Sequence, residues 1–216
     1  MAEKLLDMSQ YRRRAHFDYF RSLPWPYVGV TVDVEVSALL TLCRERGWSF
    51  YLVFLHAASL AADTVPELRQ RIRGEGIVEY DSCASSHVEA LADGTYSYCT
   101  LEHHLPLRDY LPYAEAARQR CREQGGLEED EDVERMYFIS TLPWLSYSAL
   151  IQPVAGGDES NPRITWGKYT QDAQGRWQMP VSLLVHHALA DGQQLAAFYD
   201  SLKRQMEALC REAAAF

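Results

Sequence analysis

Val28, Val30, Val32, Val34 and Val36 alternate with other residues at period two, the spacing that puts all five on one face of a half-buried strand. Ahead of them Arg12 to Arg21 reads as a short helix carrying Phe17 and Phe20, stopped by Leu23-Pro24-Trp25-Pro26. After them Ser37 is expected to cap a helix that runs to Gly47. Ser49 to Ala62 follows as a largely apolar helix and Val65 to Ile72 as a shorter one. Short strands are predicted at Ile77 to Asp81, His87 to Leu91 and Thr95 to Leu101, then a helix from Arg108 to Gln124 with Leu111, Ala114 and Ala117 on one side. The acidic run Glu128 to Asp132 reads as solvated loop, since its like charges repel. Met136 to Leu142, Ile164 to Thr170 and Trp177 to His186 complete the strands, with Gln174-Gly175 as a turn. Leu195, Phe198, Leu202, Met206 and Leu209 mark a final helix. Strands that are in part adjacent and in part separated by helices predict an α/β two-layer sandwich, a mixed sheet covered by helices, in one domain over residues 1–216.

Composition narrows the function. With 216 residues and 47% hydrophobic content the chain can fill one large core. A net charge of -9 argues against a nucleic-acid partner, which would need a basic face. The basic clusters are small: Arg12, Arg13 and Arg14 are one short run, and Arg118, Arg120 and Arg122 have acidic neighbours. The longest apolar stretch, Tyr51 to Ala62, is shorter than the roughly 20 residues of a bilayer span, so no membrane association is expected. The first residues lack the apolar core of a signal peptide, and a cytoplasmic location is expected. Five cysteines without a C-x-x-C spacing suggest reduced thiols, with no disulfide framework and no metal site.

The candidate chemistry lies in Val185-His186-His187-Ala188-Leu189-Ala190-Asp191-Gly192, an H-H-x-x-x-D-G signature between a strand and a helix. Imidazole is the side chain whose unperturbed pKa falls near neutrality, which makes His187 a candidate general base. A carboxylate one turn on can fix the local backbone, and Gly192 lets the chain bend into the helix.

Four segments together resemble the chloramphenicol acetyltransferase family, trimeric bacterial enzymes that move an acetyl group from acetyl-CoA to a hydroxyl. Tyr11-Arg12-Arg13-Arg14-Ala15-His16-Phe17 resembles W-x-R-[KR]-E-H-F, with Tyr for Trp and Ala for Glu. Ile139-Ser140-Thr141-Leu142-Pro143-Trp144 resembles S-x-x-P-W, Ile164 to Tyr169 resembles I-T-x-[GA]-K-Y, and the histidine signature follows in the family's order. The resemblance implies a CoA-dependent acyltransferase fold, acetyl-CoA as cosubstrate with no tightly bound cofactor, and a small hydroxyl-bearing acceptor. It further implies a homotrimer with active sites at subunit interfaces.

Carried over by position, His187 is the general base and His186 is structural. Asp191 pairs with Arg13 in a buried arginine–carboxylate fork that holds the loop. Ser140 donates to the oxyanion formed on the thioester carbonyl. Thr165 holds a water near the tetrahedral intermediate, and Lys168 and Tyr169 line the CoA path. Pro143 and Trp144 terminate and anchor a strand.

The expected acceptor contacts are Tyr19, Phe20, Tyr27 and Tyr96, and here the resemblance weakens. The family's Phe-Tyr pair is inverted to Tyr19-Phe20, which removes a phenolic hydroxyl at position 20, while Tyr27 and Tyr96 stand where phenylalanines are usual. After Trp144 the chain lacks the family's S-F-x-L-N ending. Chloramphenicol is therefore expected to bind weakly, and the acceptor could instead be another alcohol, saccharide or antibiotic; a non-catalytic small-molecule-binding relative is the other alternative. The same fold and signature occur in the cores of 2-oxo-acid dehydrogenase acyltransferases. That reading predicts a lipoyl domain and linker ahead of the core, and neither is read in these residues.

Overall fold

In the computed structural model, which describes residues 2–125 and 132–215, the chain opens with β1 (Glu3–Leu5), α1 (Arg14–Arg21), β2 (Tyr27–Glu35), α2 (Ser37–Arg46) and α3 (Phe50–Asp63). It continues through β3 (Gln70–Arg73), β4 (Gly76–Tyr80), β5 (Ala84–Ala90), β6 (Tyr96–Leu101) and α4 (Leu107–Gln124). The last third holds β7 (Met136–Leu142), β8 (Arg163–Gly167), β9 (Thr170–Gln171), β10 (Trp177–His186) and α5 (Gly192–Ala213). Of the acidic run, Glu128, Glu129, Asp130 and Glu131 lie outside the described residues.

A seven-stranded sheet runs β2-β10-β8-β7-β5-β6, with β9 added beside β10; β1, β4 and β3 form a separate three-stranded sheet. The main sheet is mixed, because β7 is parallel to β5 and β8 while β10 is antiparallel to both of its long neighbours. Period two explains which face is covered. Met179, Val181, Leu183 and Val185 of β10 are buried in the core with Ile139, Ile164 and Trp166 of the neighbouring strands. Helices α3 and α5 close that face: α3 is apolar nearly all round and buried, whereas α5 contributes the stripe Leu195, Phe198, Leu202, Met206 and Leu209. The predicted two-layer α/β architecture is what the chain adopts.

Several local expectations change. Val65 to Ile72 is not a helix but a 3-10 turn, Pro66–Arg69, followed by β3. Pro66 starts the turn, and Ile72 then pairs with Ile77 in a hairpin closed through Gly74, whose φ of 57° suits glycine. The strand expected from His87 begins earlier, at Ala84, because small buried residues there pair with Met136 to Phe138. Ile164 to Thr170 is broken into β8 and β9 where Lys168 N turns to donate to Leu145 O at 2.7 Å. Ser37 does not cap α2; Val36 holds the cap position, and the Ser37 hydroxyl accepts from Trp177 N at 2.9 Å. Glu3–Leu5 adds a strand that its sequence did not announce.

The core also buries histidines. His56 donates through Nε2 to His103 O at 2.8 Å and stacks on Tyr110 at 4.0 Å, and burial pushes its pKa down to about 4. Burial likewise lowers His87 and His186. An unfolded histidine takes up its proton near pH 6.5, so the unfolded state binds more protons between there and the folded value. The His56 contribution to stability is thus complete above pH ~6.5 and is lost as pH falls towards 4, on the order of 3 kcal/mol for a shift of this size. Urea unfolding measured from pH 7 to 4.5 should show His56→Phe losing stability less steeply with acid than the unmodified chain. Equal slopes would refute this assignment.

Candidate active site

At the C-terminal end of β10 the chain leaves the sheet at His187, whose side chain is half-buried. Its backbone N donates to Pro26 O at 2.7 Å, and its Nδ1 lies 3.0 Å from Ala190 O. A carbonyl can only accept, so Nδ1 carries the proton and Nε2 carries the lone pair. Phe20 of α1 stacks on the imidazole at 3.7 Å and 18°, fixing the ring plane. His186 is used differently. Its Nε2 donates to Gly157 O at 2.7 Å and its Nδ1 accepts from Ala188 N at 3.2 Å, while burial lowers its pKa and keeps it neutral.

Asp191 caps α5. Oδ1 accepts from Gln193 N at 2.9 Å, and Gln194 Oε1 accepts from Asp191 N at 3.0 Å. Oδ2 takes Arg13 Nη1 at 2.5 Å, the pair that the resemblance implied. It is a single contact and not a fork, and it is not buried, since the two side chains keep 20% and 31% of their surface. The Arg13 hydrogen bond, followed by the Gln193 N–H, holds the carboxyl below the usual range.

Register assembles a second group of residues. Ser140 of β7 stands opposite Thr165 of β8, Thr165 opposite Ser182 of β10, and Ser182 opposite Thr31 of β2. Directly paired residues share a face, so four hydroxyls form a row across the side of the sheet away from α3 and α5. Thr31 and Ser182 are hydrogen-bonded at 2.7 Å, and Thr165 Oγ1 donates to Gln152 Oε1 at 3.1 Å. The Ser140 hydroxyl has no hydrogen-bond partner among the described residues, and Ser140 lines a cavity of about 290 Å³ with Ser86, Tyr98, Phe138, Gln152 and Arg163. Just past the end of β8, Lys168 and Tyr169 line a separate cavity of about 390 Å³ with Phe50, Tyr51 and Trp166.

One chain does not bring all of these together. From the Ser182 row to His187 is five residues, about 16 Å along a strand, and Ser140 lies two strands away, about 10 Å across. Proton transfer needs contact near 3 Å. Within a subunit His187, Phe20, Asp191 and Arg13 form one candidate half-site, while Ser140 and Thr165 form another on the sheet face away from α3; Lys168 and Tyr169 line a separate cavity beside Phe50 and Tyr51 of α3. Tyr96 belongs to neither, because it sits on edge strand β6 and packs on Tyr98, which lines the Ser140 cavity in its place. The Tyr27 hydroxyl is committed to Gly156 O and Glu159 O, and burial raises its pKa to about 12. Tyr19 lies exposed against the edge of Phe20. Trp144 does not anchor a strand within the subunit, being 77% exposed.

Gln152 was missed by sequence reading, because the 143–162 segment has no periodicity from which to place it. Gly167 had a usable signal in the small-residue position before Lys168. A Cβ there would come within 2.5 Å of Leu145 O and 2.8 Å of Tyr147 Cε1, so only glycine lets that segment cross β8.

A mixed sheet with helices on one face and a histidine at the exit of a strand one in from the edge is the architecture this chain shares with CoA-dependent acyltransferases. The fold is shared with a solved chloramphenicol acetyltransferase at TM-score 0.81 and 21% identity, covering 95% of this chain and all of that one. It is also shared with the cubic core of the pyruvate dehydrogenase multienzyme complex at TM-score 0.68 and 16% identity, covering 90% of this chain and 88% of that one. The family model described as chloramphenicol acetyltransferase matches residues 1–203, so the chain belongs to the chloramphenicol acetyltransferase family. Among curated relatives it is 25% identical to a chloramphenicol acetyltransferase of Proteus mirabilis over 210 residues, 96% of each chain. It is 27% identical to one of Escherichia coli over 203 residues, 92% of this chain and 91% of that one. It is thus an enzyme of the acyltransferase class.

The geometry at Asp191 sets a stability prediction. Asparagine caps as well as aspartate, so Asp191→Asn removes only a part-exposed ion pair and should cost about 1 kcal/mol or less, not the 3–5 of a buried one. Asp191→Ala also loses the cap and should cost about 1 kcal/mol more. Because the folded carboxyl is depressed, its contribution is present above the unfolded pKa near 3.9 and disappears as pH falls through the folded value. Urea unfolding at pH 7 and at pH 3 checks both statements: the wild-type advantage over Asn should be smaller at the lower pH.

Proposed function

We propose that the chain is a single-domain, cytoplasmic acetyltransferase that moves acetyl from acetyl-CoA, a cosubstrate and not a tightly bound cofactor, to the hydroxyl of a small acceptor. The observation that carries this reading is the His187 tautomer. Ala190 O fixes the proton on Nδ1 and leaves Nε2 free as a base at the C-terminal end of β10. The acceptor hydroxyl gives its proton to Nε2 as its oxygen attacks the thioester carbonyl carbon. The negative charge that forms on the carbonyl oxygen is met by the Ser140 hydroxyl. Collapse breaks the C–S bond, and His187 returns the proton to the departing thiolate, yielding the ester and free CoA. Thr165 supports this site and is not its main donor, since its hydroxyl is spent on Gln152. Lys168 and Tyr169 offer a cation and an aromatic face to the incoming CoA.

The acting unit is a homotrimer, with His187 of one subunit facing Ser140 of the next. Two features support shared sites. The half-sites are too far apart within one chain, and several large apolar side chains lie exposed, among them Trp144, Leu145, Val88 and Ile151 at 95%. The number three comes from the family resemblance. Chloramphenicol, named in the relatives, is the first acceptor to test. Phe20 lacks the hydroxyl of a tyrosine at that position and turns its face to His187, so the drug should show a raised Michaelis constant before any loss of turnover. Phe20→Tyr should lower that constant.

The direct test is thiol release from acetyl-CoA with chloramphenicol and a panel of other alcohols. His187→Ala should reduce transfer by 10²-fold or more while the oligomer persists by light scattering, in line with the roughly 10²–10⁴ contributed by general bases. Substantial residual turnover would sink the assignment. Mixing unfolded His187→Ala and Ser140→Ala chains and refolding them together should restore about a quarter of the wild-type sites, those that draw each intact group from a different subunit. No recovery would mean that the site is built within one chain.

A further inference from the structure

The segment between β7 and β8 lays Gln152 against Thr165. Gln152 Oε1 accepts the Thr165 hydroxyl at 3.1 Å, and Thr165 is itself only 2% exposed, so this end of the carboxamide is fixed from a buried site. Thr165 is the direct partner of Ser140 in the β7–β8 register. Neighbouring strands are about 4.8 Å apart, which puts the amide head roughly one strand spacing from Ser140, and both residues line the same cavity. With its oxygen committed, the carboxamide has only its Nε2 hydrogens to offer, and these find no acceptor among the described residues. Arg163 lines the cavity too, but its two terminal nitrogens hold Glu159 at 2.8 and 2.6 Å.

Resting on the acetyltransferase reading above, we propose that Gln152 is a second hydrogen-bond donor to the thioester oxyanion beside Ser140, oriented for that task by Thr165. The attacking hydroxyl needs an acceptor for its proton and finds it in His187. The carbonyl oxygen needs donors, and a neutral N–H already oriented by a buried partner gains most where negative charge develops. Thr165 then acts through Gln152 as a positioning residue.

Gln152→Glu separates this role from a merely structural one. A carboxylate still accepts the Thr165 hydroxyl and still ties the segment to β8, but it cannot donate and it repels an oxyanion. In the full-length oligomer with acetyl-CoA and whichever acceptor the wild type uses, kcat should fall by about 10²-fold or more. KM for both substrates should change by no more than a few fold, and thermal stability should be kept. Hydrolysis of acetyl-CoA without acceptor should fall in parallel, because it passes through the same oxyanion. Thr165→Val, which frees the amide, should give a smaller loss of kcat. Should the Glu variant fail to fold, Gln152→Met keeps the chain length without a donor and should show the same loss of kcat. Unchanged kcat in a stable Gln152→Glu protein would overturn the inference, and so would a rise in acceptor KM alone, which would place the amide on the acceptor. A wild-type protein with no acetyl transfer to any alcohol would instead overturn the acetyltransferase reading, and this inference with it.

Discussion

The register of β10 is the constraint on which the rest of the structure depends. The strand is paired on both sides, over Tyr27–Glu35 with β2 and over Arg163 to Trp166 with β8. A slip by one residue would turn Met179, Val181, Leu183 and Val185 out of the core and put Ser182, Leu184 and His186 against the helices. At about 1.5–3 kcal/mol for each buried apolar side chain, that slip would cost roughly 6–12 kcal/mol, comparable to the whole stability of a domain. The apolar face therefore sets two things on the opposite side without direct selection there. It aligns Ser182 with Thr31 and Thr165, and through β8 with Ser140, and it determines where His187 leaves the sheet.

The loop after β10 inherits this precision through backbone contacts. Pro26 O takes His187 N, His186 O takes Leu189 N and Ala190 N, and Ala190 O in turn takes the imidazole. The His187 imidazole is oriented by a carbonyl three residues on and by the face of Phe20, and no carboxylate among the described residues is hydrogen-bonded to it. Asp191 spends its oxygens on Gln193 N and Arg13. Its influence on His187 passes through the start of α5 and the position of Ala190, which is a structural influence. Arg13 then links α1, the helix that supplies Phe20, to the same point.

Whatever follows from a repeat in the chain could be seen before the fold was known. The alternation in β2 predicted that strand and the 3.6-residue stripe in α5 predicted both the helix and its buried face, but the valine face of β2 is only partly covered, with Val30 and Val32 left exposed near the sheet edge. The turn at Pro66 and the break after Gly167 escaped that logic, since there a proline and a close backbone approach override the local apolar pattern. The half-sites were named by resemblance, but their separation depends on which strands lie side by side, a tertiary property with no local signature. Tyr96 was assigned to the acceptor on positional likeness, whereas the strand order puts it at the far edge and gives the role of lining the cavity to Tyr98. Asp191 and Arg13 were paired in advance, yet their partial exposure and single contact could only be measured.

Between Leu142 and Arg163 the chain has no strand or helix, an unusual length for a connection in a compact domain and one that commonly marks function. Polar anchors hold it at both ends. Asn161 Nδ2 donates to Val133 O and Met136 O, Ser160 Oγ accepts from Ile72 N, and His186 and Tyr27 hold the carbonyls of Gly157 and Glu159. At the other end Leu145 O accepts from Lys168 N, and Gly167 leaves the space for the crossing. Gln152 is tied to the sheet through the Thr165 hydroxyl, whereas none of the other anchors uses a side chain from Ser148 to Pro153. Register fixes Ser140 beside Thr165, and the segment laid over the sheet meets that pair at Gln152, so the position of the carboxamide follows from the same strand pairing that aligns the hydroxyl row.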